Sequence, residues 1–354
     1  MVSIESAVAG AKGAGSCLAL GIAIASVRKR QLRPPSELFT ALATGCGIFR
    51  TLEPTSKRTA ACLASIAFFR LITDSHKHIV LSYALVELAL QVYELFPPSK
   101  AVEHATSIAV TGRLMHTFMV NWEWILPSQL KMLDNQSCIS PDILATTRAV
   151  FRSDMGSRCE AFHPNQSCGA FLRDKILAHI KNGAKIFFPI HLVAVLLAWK
   201  NNRLNLSKQG LDYVRSIFFL LGNYVFPYTF SCMVPIKSHR LTVLLGSITP
   251  YFAQLIEPPK RRFTIRKAVA SYSLVTVFYQ LKEYICFSKF SRQQVVSMAT
   301  VMYATCMIYL LEHPERQNRW LMYGLYGYDI QIAKVKSEQK SISNEAQDIP
   351  SQMN

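Results

Sequence analysis

Charged side chains are scarce in this sequence of 354 residues. Asp, Glu, Lys and Arg together make up 17% of it, whereas hydrophobic residues make up 50%. Soluble globular domains carry roughly 25% charged residues. The shortage of charge argues against an ordinary soluble domain and favours a chain in contact with lipid.

The motifs of the common enzyme classes are also missing. The sequence has no GxSxG nucleophile elbow, no Walker phosphate loop, no HExxH pair and no GxGxxG after a strand. It has no CxxC pair either, so no standard zinc finger or ribbon is indicated. We therefore expect a protein that is not an enzyme and that needs no organic cofactor.

The charge that is present is mostly positive. Lys and Arg number 39 against 22 Asp and Glu, which gives a net charge of +17. The cations fall in short clusters beside apolar stretches, as at Arg28–Arg30, Lys57–Arg58 and Lys260–Arg262. Such clusters are typical of loops that face anionic lipid. We therefore expect membrane lipids, and no nucleic acid, as partners.

The nine cysteines do not describe a secreted disulfide framework, because their number is odd and most lie in apolar stretches. The first residues lack the pattern of a secretory signal or an Arg-rich presequence. The last four residues, Ser351–Asn354, match neither the endoplasmic-reticulum nor the peroxisomal address. We expect any targeting signal to be internal.

Ten apolar stretches predict the fold class. Several approach the ~20 residues that a helix needs to cross ~30 Å of hydrocarbon. We predict an all-α polytopic membrane protein with eight to ten membrane helices. The stretches cover residues 9–27, 36–50, 59–73, 77–96, 103–126, 181–199, 213–235, 240–256, 266–285 and 293–312.

The two sets of five stretches resemble each other. Basic residues and a leucine follow the first span of each set, at Val27–Leu32 and at Trp199–Leu204. The run Ala84–Tyr93 parallels Ser273–Lys282 in the same order. We predict an internal repeat. The predicted parts are a first helical repeat (1–126), a polar connector (127–180), a second repeat (181–330) and a disordered tail (331–354).

The connector contains the most distinctive local pattern, in which Cys159, His163 and Cys168 occur within ten residues. Thiolate and imidazole ligands suit Zn²⁺, and a fourth ligand from elsewhere, such as Cys138, would complete a tetrahedral site. Pro164 and Ser167 belong to the same motif. The alternative is a structural turn that holds no metal.

Two ionisable residues inside apolar stretches are candidates for a polar path. Glu87 lies within the stretch 77–96 and His116 within 103–126. An ionisable group at membrane depth is costly unless it faces protein or water, so it marks a candidate functional position. The alternative is that such residues lie nearer a helix end, at the membrane surface.

The motif and the spans that follow it resemble the transmembrane protein 135 family. The resemblance rests on Cys159–Cys168, on Leu196–Leu204, on Ser216–Val225 and on Gly246–Arg262. It covers residues 159–285 best and 17–126 more faintly. It implies a multi-span membrane protein of peroxisomes or mitochondria, similar at a distance to the translocase channels of the mitochondrial inner membrane and to peroxisomal membrane protein 4.

The resemblance implies a role in lipid metabolism or organelle homeostasis, and one such role is the movement of a small or amphipathic solute. A scaffold or biogenesis factor that recruits protein partners through 127–180, or that forms a homo-oligomer, is the alternative from another class. A lipid-modifying enzyme is a third. The expected location is the peroxisomal or mitochondrial membrane, with the endoplasmic reticulum as the alternative.

Overall fold

The computed structural model confirms the all-α fold class, since its described residues contain helices and no strand. Three of these helices are long and apolar enough to cross a membrane, at Ile4–Ser26, Cys168–Lys200 and Arg292–Glu312. The membrane character of the chain is thus supported for three of the predicted spans. The structure describes residues 3–29, 34–96, 99–200, 202, 204–284 and 290–313.

The chain divides into two compact units. Unit 1 contains Met1–Phe96 and Phe287–Asn354, and unit 2 contains Pro97–Cys286. The predicted tail 331–354, Cys286 and Arg30 of the basic cluster after the first span lie outside the described residues.

Unit 1 has five described helices, in which α1 packs on α2, α2 packs on α3, and α14 packs on α3 and α4. Serine side chains set two of the helix starts, because Ser56 accepts a hydrogen bond from the Thr59 N–H and Ser291 forms a capping box with Gln294. The helices are α1 (Ile4–Lys29), α2 (Glu37–Leu52), α3 (Lys57–Leu71), α4 (Asp74–Leu95) and α14 (Arg292–Glu312).

Helix α14 is held in unit 1 by apolar and ionic contacts. The ring of Tyr303 stacks on Phe69, with ring centroids 4.8 Å apart. Arg58 forms an ion pair with Glu312 at the end of α14. Because Phe69 is fully buried, the stacked rings contribute more than the exposed ion pair.

Unit 2 contains the remaining helices. In it α9 packs on α10, α10 packs on α11 and α12, and α5 packs on α11, α12 and α13. The elements are α5 (Lys100–Val120), a 3₁₀ turn (Trp122–Trp124), α6 (Pro127–Ser137), α7 (Pro141–Ser153), α8 (Arg158–Phe162), α9 (Cys168–Lys200), α10 (Leu206–Met233), α11 (His239–Gly246), α12 (Pro250–Gln254) and α13 (Pro259–Tyr284).

The compact units do not coincide with the two predicted repeats. Helix α5, which ends the first repeat, packs on α11, α12 and α13 of the second. Helix α14, near the end of the second repeat, packs on α3 and α4 of the first. Each predicted repeat therefore places its fifth helix in the unit formed by the other repeat's helices. The packing follows the same order in both units. The contacts of α1 with α2, of α2 with α3 and of α14 with α3 and α4 correspond to those of α9 with α10, of α10 with α11 and α12, and of α5 with α11, α12 and α13.

The predicted span 240–256 is not one helix. It consists of α11 and α12, which are separated by Ser247–Thr249. Pro250 has no N–H to donate and cannot continue the hydrogen-bond ladder of α11. The Gln254 side chain at the end of α12 is fully buried and donates a hydrogen bond to Thr111 Oγ1 on α5 at 2.7 Å. This segment is therefore an interrupted helix, and a side-chain hydrogen bond holds its second part against α5.

The connector 127–180 is a folded part of unit 2. Its helix α7 places Leu144, Thr147 and Phe151 on one face, at the i, i+3 and i+7 spacing of an amphipathic helix. Leu144 and Phe151 are almost fully buried, together with Phe162 of α8 and Phe171 of α9. The connector is polar in average composition because the exposed faces of its helices carry charged residues. The average composition therefore does not reveal the buried apolar face of α7.

Two tyrosines of α10 fasten the connector to that helix. Tyr228 donates its hydroxyl hydrogen bond to the carbonyl of Ser137 at 2.8 Å, and Tyr224 donates to the side chain of Gln136 at 3.3 Å. Ser137 ends α6, so its carbonyl has no partner within that helix. The contact satisfies a buried acceptor that water cannot reach.

We expect Tyr228→Phe to loosen the connector. The substitution keeps the ring and leaves the buried Ser137 carbonyl without its donor, which costs about 1–2 kcal/mol. Limited proteolysis of the detergent-solubilised chain should show faster cleavage between α6 and α8. Tyr213→Phe is the control, because the Tyr213 hydroxyl donates to the carbonyl of Ala184 on α9. Equal cleavage of the two variants would contradict the prediction.

Candidate functional site

Four metal-binding side chains meet at the end of the connector. The thiols of Cys159, Cys168 and Cys232 and a ring nitrogen of His163 all lie within 4.8 Å of one another. Cys159 belongs to α8, His163 follows it, Cys168 begins α9, and Cys232 lies in the last turn of α10. The three predicted ligands are thus brought together, and a fourth residue joins them. We call these four residues the Cys/His cluster.

The turn between α8 and α9 builds the cluster. α8 ends before Pro164, whose ring removes the N–H that another helical turn would need. The Gln166 N–H then donates to the carbonyl of His163 at 3.2 Å, which closes the turn. Ser167 accepts a hydrogen bond from the Ala170 N–H and starts α9. Pro164 and Ser167 therefore end one helix and begin the next.

The orientation of His163 is fixed by a backbone contact. Its Nδ1 lies 2.7 Å from the carbonyl oxygen of Gln166. A carbonyl only accepts hydrogen bonds, so Nδ1 carries the proton and the neutral ring has its lone pair on Nε2. Nε2 lies 3.6 Å from the Cys232 thiol. The ring thus presents an unprotonated nitrogen to the thiols, and it is buried.

The thiols are close without being bonded. Cys159 Sγ and Cys168 Sγ lie 3.6 Å apart, well beyond the ~2.05 Å of a disulfide. Burial raises the pKa of the Cys159 thiol, and the adjacent Cys168 raises it further because two neighbouring thiolates repel. A cation between them would remove that penalty. The arrangement is able to hold a soft metal ion or to form a disulfide on oxidation.

Sequence reasoning missed Cys232. The residue is separated by about 70 positions from the motif and lies in the apolar stretch 213–235, where a cysteine usually acts as a small apolar residue. Its spacing held a usable signal, since Tyr224, Tyr228 and Cys232 recur at i, i+4 and i+8 and share one helix face. The two tyrosines face the connector, so the third residue of that face does so too.

Cys138, the expected fourth ligand, is not a member of the cluster. Its thiol lies 3.7 Å from His179 Nδ1 and 3.7 Å from the side-chain nitrogen of Asn182. His179 follows Cys168 by eleven residues of α9, which separates their backbones by about 16 Å. Cys138 caps α6 in a left-handed conformation that directs its side chain to this later part of α9.

The Cys138–His179 pair resembles the start of a nucleophile and base pair, but its setting favours a structural role. Burial raises the pKa of the Cys138 thiol, which disfavours the thiolate that a nucleophile requires. The ring of His179 is fully buried and stacks on Tyr224 with centroids 5.1 Å apart. The pair therefore belongs to the packing of α6 against α9 and α10.

The two candidate path residues lie in different units. Glu87 is half-buried on α4 of unit 1, and His116 is half-buried on α5 of unit 2. Glu87 and His116 therefore do not form a common site within one unit. One turn before His116, Arg113 donates to Thr276 Oγ1 at 3.3 Å and also to Gln280 Oε1. Sequence reasoning did not select Arg113.

Two further contacts anchor the connector next to the cluster. Arg158, the neighbour of Cys159, donates to the carbonyl of Val234 at 3.3 Å. Asp154 accepts hydrogen bonds from the Ser238 hydroxyl at 3.1 Å and from the backbone N–H of His239 and of Arg240. The carboxylate thereby caps the start of α11, where the helix dipole favours negative charge.

No family model, no curated protein and no solved structure matches this chain. The resemblance to the transmembrane protein 135 family therefore stays a prediction.

Asp154 generates a pH-dependent prediction. Loss of hydration at the contact would raise the pKa of the exposed Asp154 carboxyl, but the hydrogen bonds from Arg240, His239 and Ser238 outweigh it, so the pKa is lowered. A lowered pKa in the folded state means that the contribution to stability is present above the unfolded value of about 3.9 and is lost as the pH falls through the folded value. The wild-type chain should therefore lose thermal stability below about pH 4.

The variant Asp154→Ala should lack part of that acid-dependent loss and be less stable at neutral pH. Unfolding temperatures in detergent at several pH values measure both effects. Asp142→Ala is the control, because Asp142 lies in the first turn of α7, at the far end of that helix from Asp154. Identical pH profiles of wild type and Asp154→Ala would show that the carboxylate does not cap α11.

Proposed function

We propose that this chain is an integral membrane protein of an organelle that handles a lipid or another amphipathic solute. The observation that carries the proposal is the bipartite character of α9. The first half of this helix belongs to the connector and buries Phe171, Leu172 and His179 inside unit 2. Its second half exposes large apolar side chains, among them Phe188 at 59%, Val193 at 55% and Trp199 at 68%. A continuous apolar surface of this kind requires lipid or another protein to cover it.

We add three further helices of unit 2 to the three candidate spans, which gives six of the eight to ten membrane helices that the sequence predicts. α5 has 21 residues, α10 has 28 and α13 has 26, and each exceeds the ~20 residues that a span needs. Some of their polar side chains have partners inside unit 2, as Arg113 does with Thr276 and Arg266 of α13 does with Glu103 of α5. Internal partners of this kind are what polar groups require at membrane depth.

The polar contacts along α5 support a route for the solute through unit 2. Arg113 is held by Thr276 and Gln280, and Thr111 is held by Gln254 beside the interrupted segment α11–α12. Interrupted helices and intramembrane ionisable groups mark substrate sites in many transporters. We place the route beside Arg113 and His116. Glu87 belongs to the corresponding place in unit 1.

The connector contributes to the core of unit 2. Its packing therefore does not favour a role as a flexible loop that recruits protein partners. Replacing 127–180 by a neutral linker would remove Leu144, Phe151 and Phe162 from that core. Such a variant would fail through misfolding whichever function is correct. A scaffold role is better tested by charge reversal at exposed Arg173, which leaves the core intact.

The membrane assignment predicts different effects for one substitution at two positions of α9. Val193→Arg places a charge in the proposed span and should cost about 3 kcal/mol of insertion free energy. Ile180→Arg is the matched control, since Ile180 is exposed and lies in the half of α9 that belongs to the connector. Carbonate extraction and glycosylation mapping of tagged chains measure insertion. Equal insertion of both variants, or extraction of the wild type, would refute the assignment.

The solute route predicts that Arg113→Gln lowers flux in proteoliposomes. The probe is a fluorescent phosphatidylcholine analogue whose outer-leaflet signal dithionite removes, so movement between leaflets is read directly. Arg113→Gln removes the charge but keeps a hydrogen-bonding side chain, which protects the packing. Arg173→Gln is the control, because that side chain is 74% exposed. Wild-type flux that equals protein-free vesicles overturns lipid movement, and unchanged flux in Arg113→Gln overturns the placement.

A further inference from the structure

We propose that Cys159, His163, Cys168 and Cys232 bind one Zn²⁺ ion as a closed structural centre. The proposal is independent of any transported solute. Three thiols and one imidazole are a ligand set that zinc takes in structural sites, and soft thiolate ligands select it over Mg²⁺ or Ca²⁺. With four protein ligands no position is left for water or substrate. The ion would therefore stabilise the fold and would not catalyse a reaction.

The distances fit a tetrahedron. With Zn–S bonds of about 2.3 Å and a Zn–N bond of about 2.0 Å, tetrahedral ligands lie about 3.8 Å apart for two sulfurs and about 3.5 Å apart for sulfur and nitrogen. The Cys159–Cys168 distance is 3.6 Å, and the distance from Cys232 Sγ to His163 Nε2 is 3.6 Å. The longest separation among the four atoms stays within 4.8 Å. Shifts of about 1 Å would complete the site.

The hydrogen bond of His163 supports a ligand role more specifically than proximity does. Metal-bound histidines commonly donate their second ring N–H to a carbonyl, which fixes the tautomer and the ring direction. His163 donates from Nδ1 to the Gln166 carbonyl and leaves Nε2 free to bind. The ring is also packed on Phe171, with centroids 4.9 Å apart. The nitrogen is thus held in place before any ion binds.

The ion would join three segments that are distant in sequence. Cys159 fixes α8, Cys168 fixes the start of α9, and Cys232 fixes the end of α10. Arg158 and Asp154 already anchor the neighbouring backbone to the segment after α10. Zinc would therefore close the connector against α10 at the end opposite to the contact between Tyr224 and Gln136.

Metal content of the purified full-length chain tests the proposal. The chain is prepared in detergent with an affinity tag that has no histidine, and zinc is measured by mass spectrometry. About one zinc per chain is expected for the wild type and a large loss for Cys232→Ser. Cys138→Ser is the matched control, since it removes a connector thiol outside the cluster and should keep the ion. A wild type without zinc, or full zinc in Cys232→Ser, overturns the proposal.

A second measurement guards against misfolding of Cys232→Ser. Cys232→His retains a zinc ligand and should keep the metal, and replacement by Co²⁺ should give the visible absorption of a tetrahedral thiolate site. Chelation should lower the unfolding temperature of the wild type and of Cys138→Ser. An intact wild-type mass lower by two hydrogens, without metal and with Cys159 cross-linked to Cys168 in the peptide map, would instead identify a disulfide and overturn the zinc centre.

Discussion

The carbonyl of Ser137 at the end of α6 imposes a constraint on unit 2. A helix leaves its last carbonyls without internal partners, and Ser137 is buried where water cannot supply a hydrogen. Tyr228 of α10 donates to this carbonyl, and Tyr224 donates to the side chain of the neighbouring Gln136. Once these two hydroxyls are in place, the face of α10 that carries Cys232 is directed at the turn between α8 and α9. The Cys/His cluster is a consequence of that alignment.

The same alignment explains how the connector becomes part of an apolar helix pair. Its helices are polar in composition but each has a buried face, and Phe151, Phe162 and Phe171 meet Tyr228 in one aromatic group. Arg148 of α7 is buried as well, and it is paired with Asp134 at 2.7 Å and lies over the ring of Phe118. Its charge is tolerated because the Asp134 carboxylate pairs with Nη2 and because Nε donates to the Phe118 carbonyl.

Much of the helical architecture could be predicted from the sequence, because apolar runs, Pro at helix starts and serine caps are local signals. The ten residues Cys159–Cys168 likewise revealed three members of the cluster. Cys232 and Arg113 could not be found in this way, since their roles depend on which helix faces which. The break at Ser247–Thr249 was hidden because a short interruption leaves the average hydropathy of 240–256 high. The boundaries of the compact units depend on pairing between distant helices, which no local pattern records.

The exchange of α5 and α14 between the units has a consequence for biosynthesis. α5 leaves the ribosome before α11, α12 and α13, the helices on which it packs, exist. Tyr303 of α14 is made more than two hundred residues after Phe69, its stacking partner. Neither unit is able to complete its folding while only half of the chain has been synthesised. The early helices therefore remain without their packing partners, in the membrane or bound to a chaperone, until the later helices are made. Synthesis of the final described helix therefore acts as the signal that lets unit 1 close.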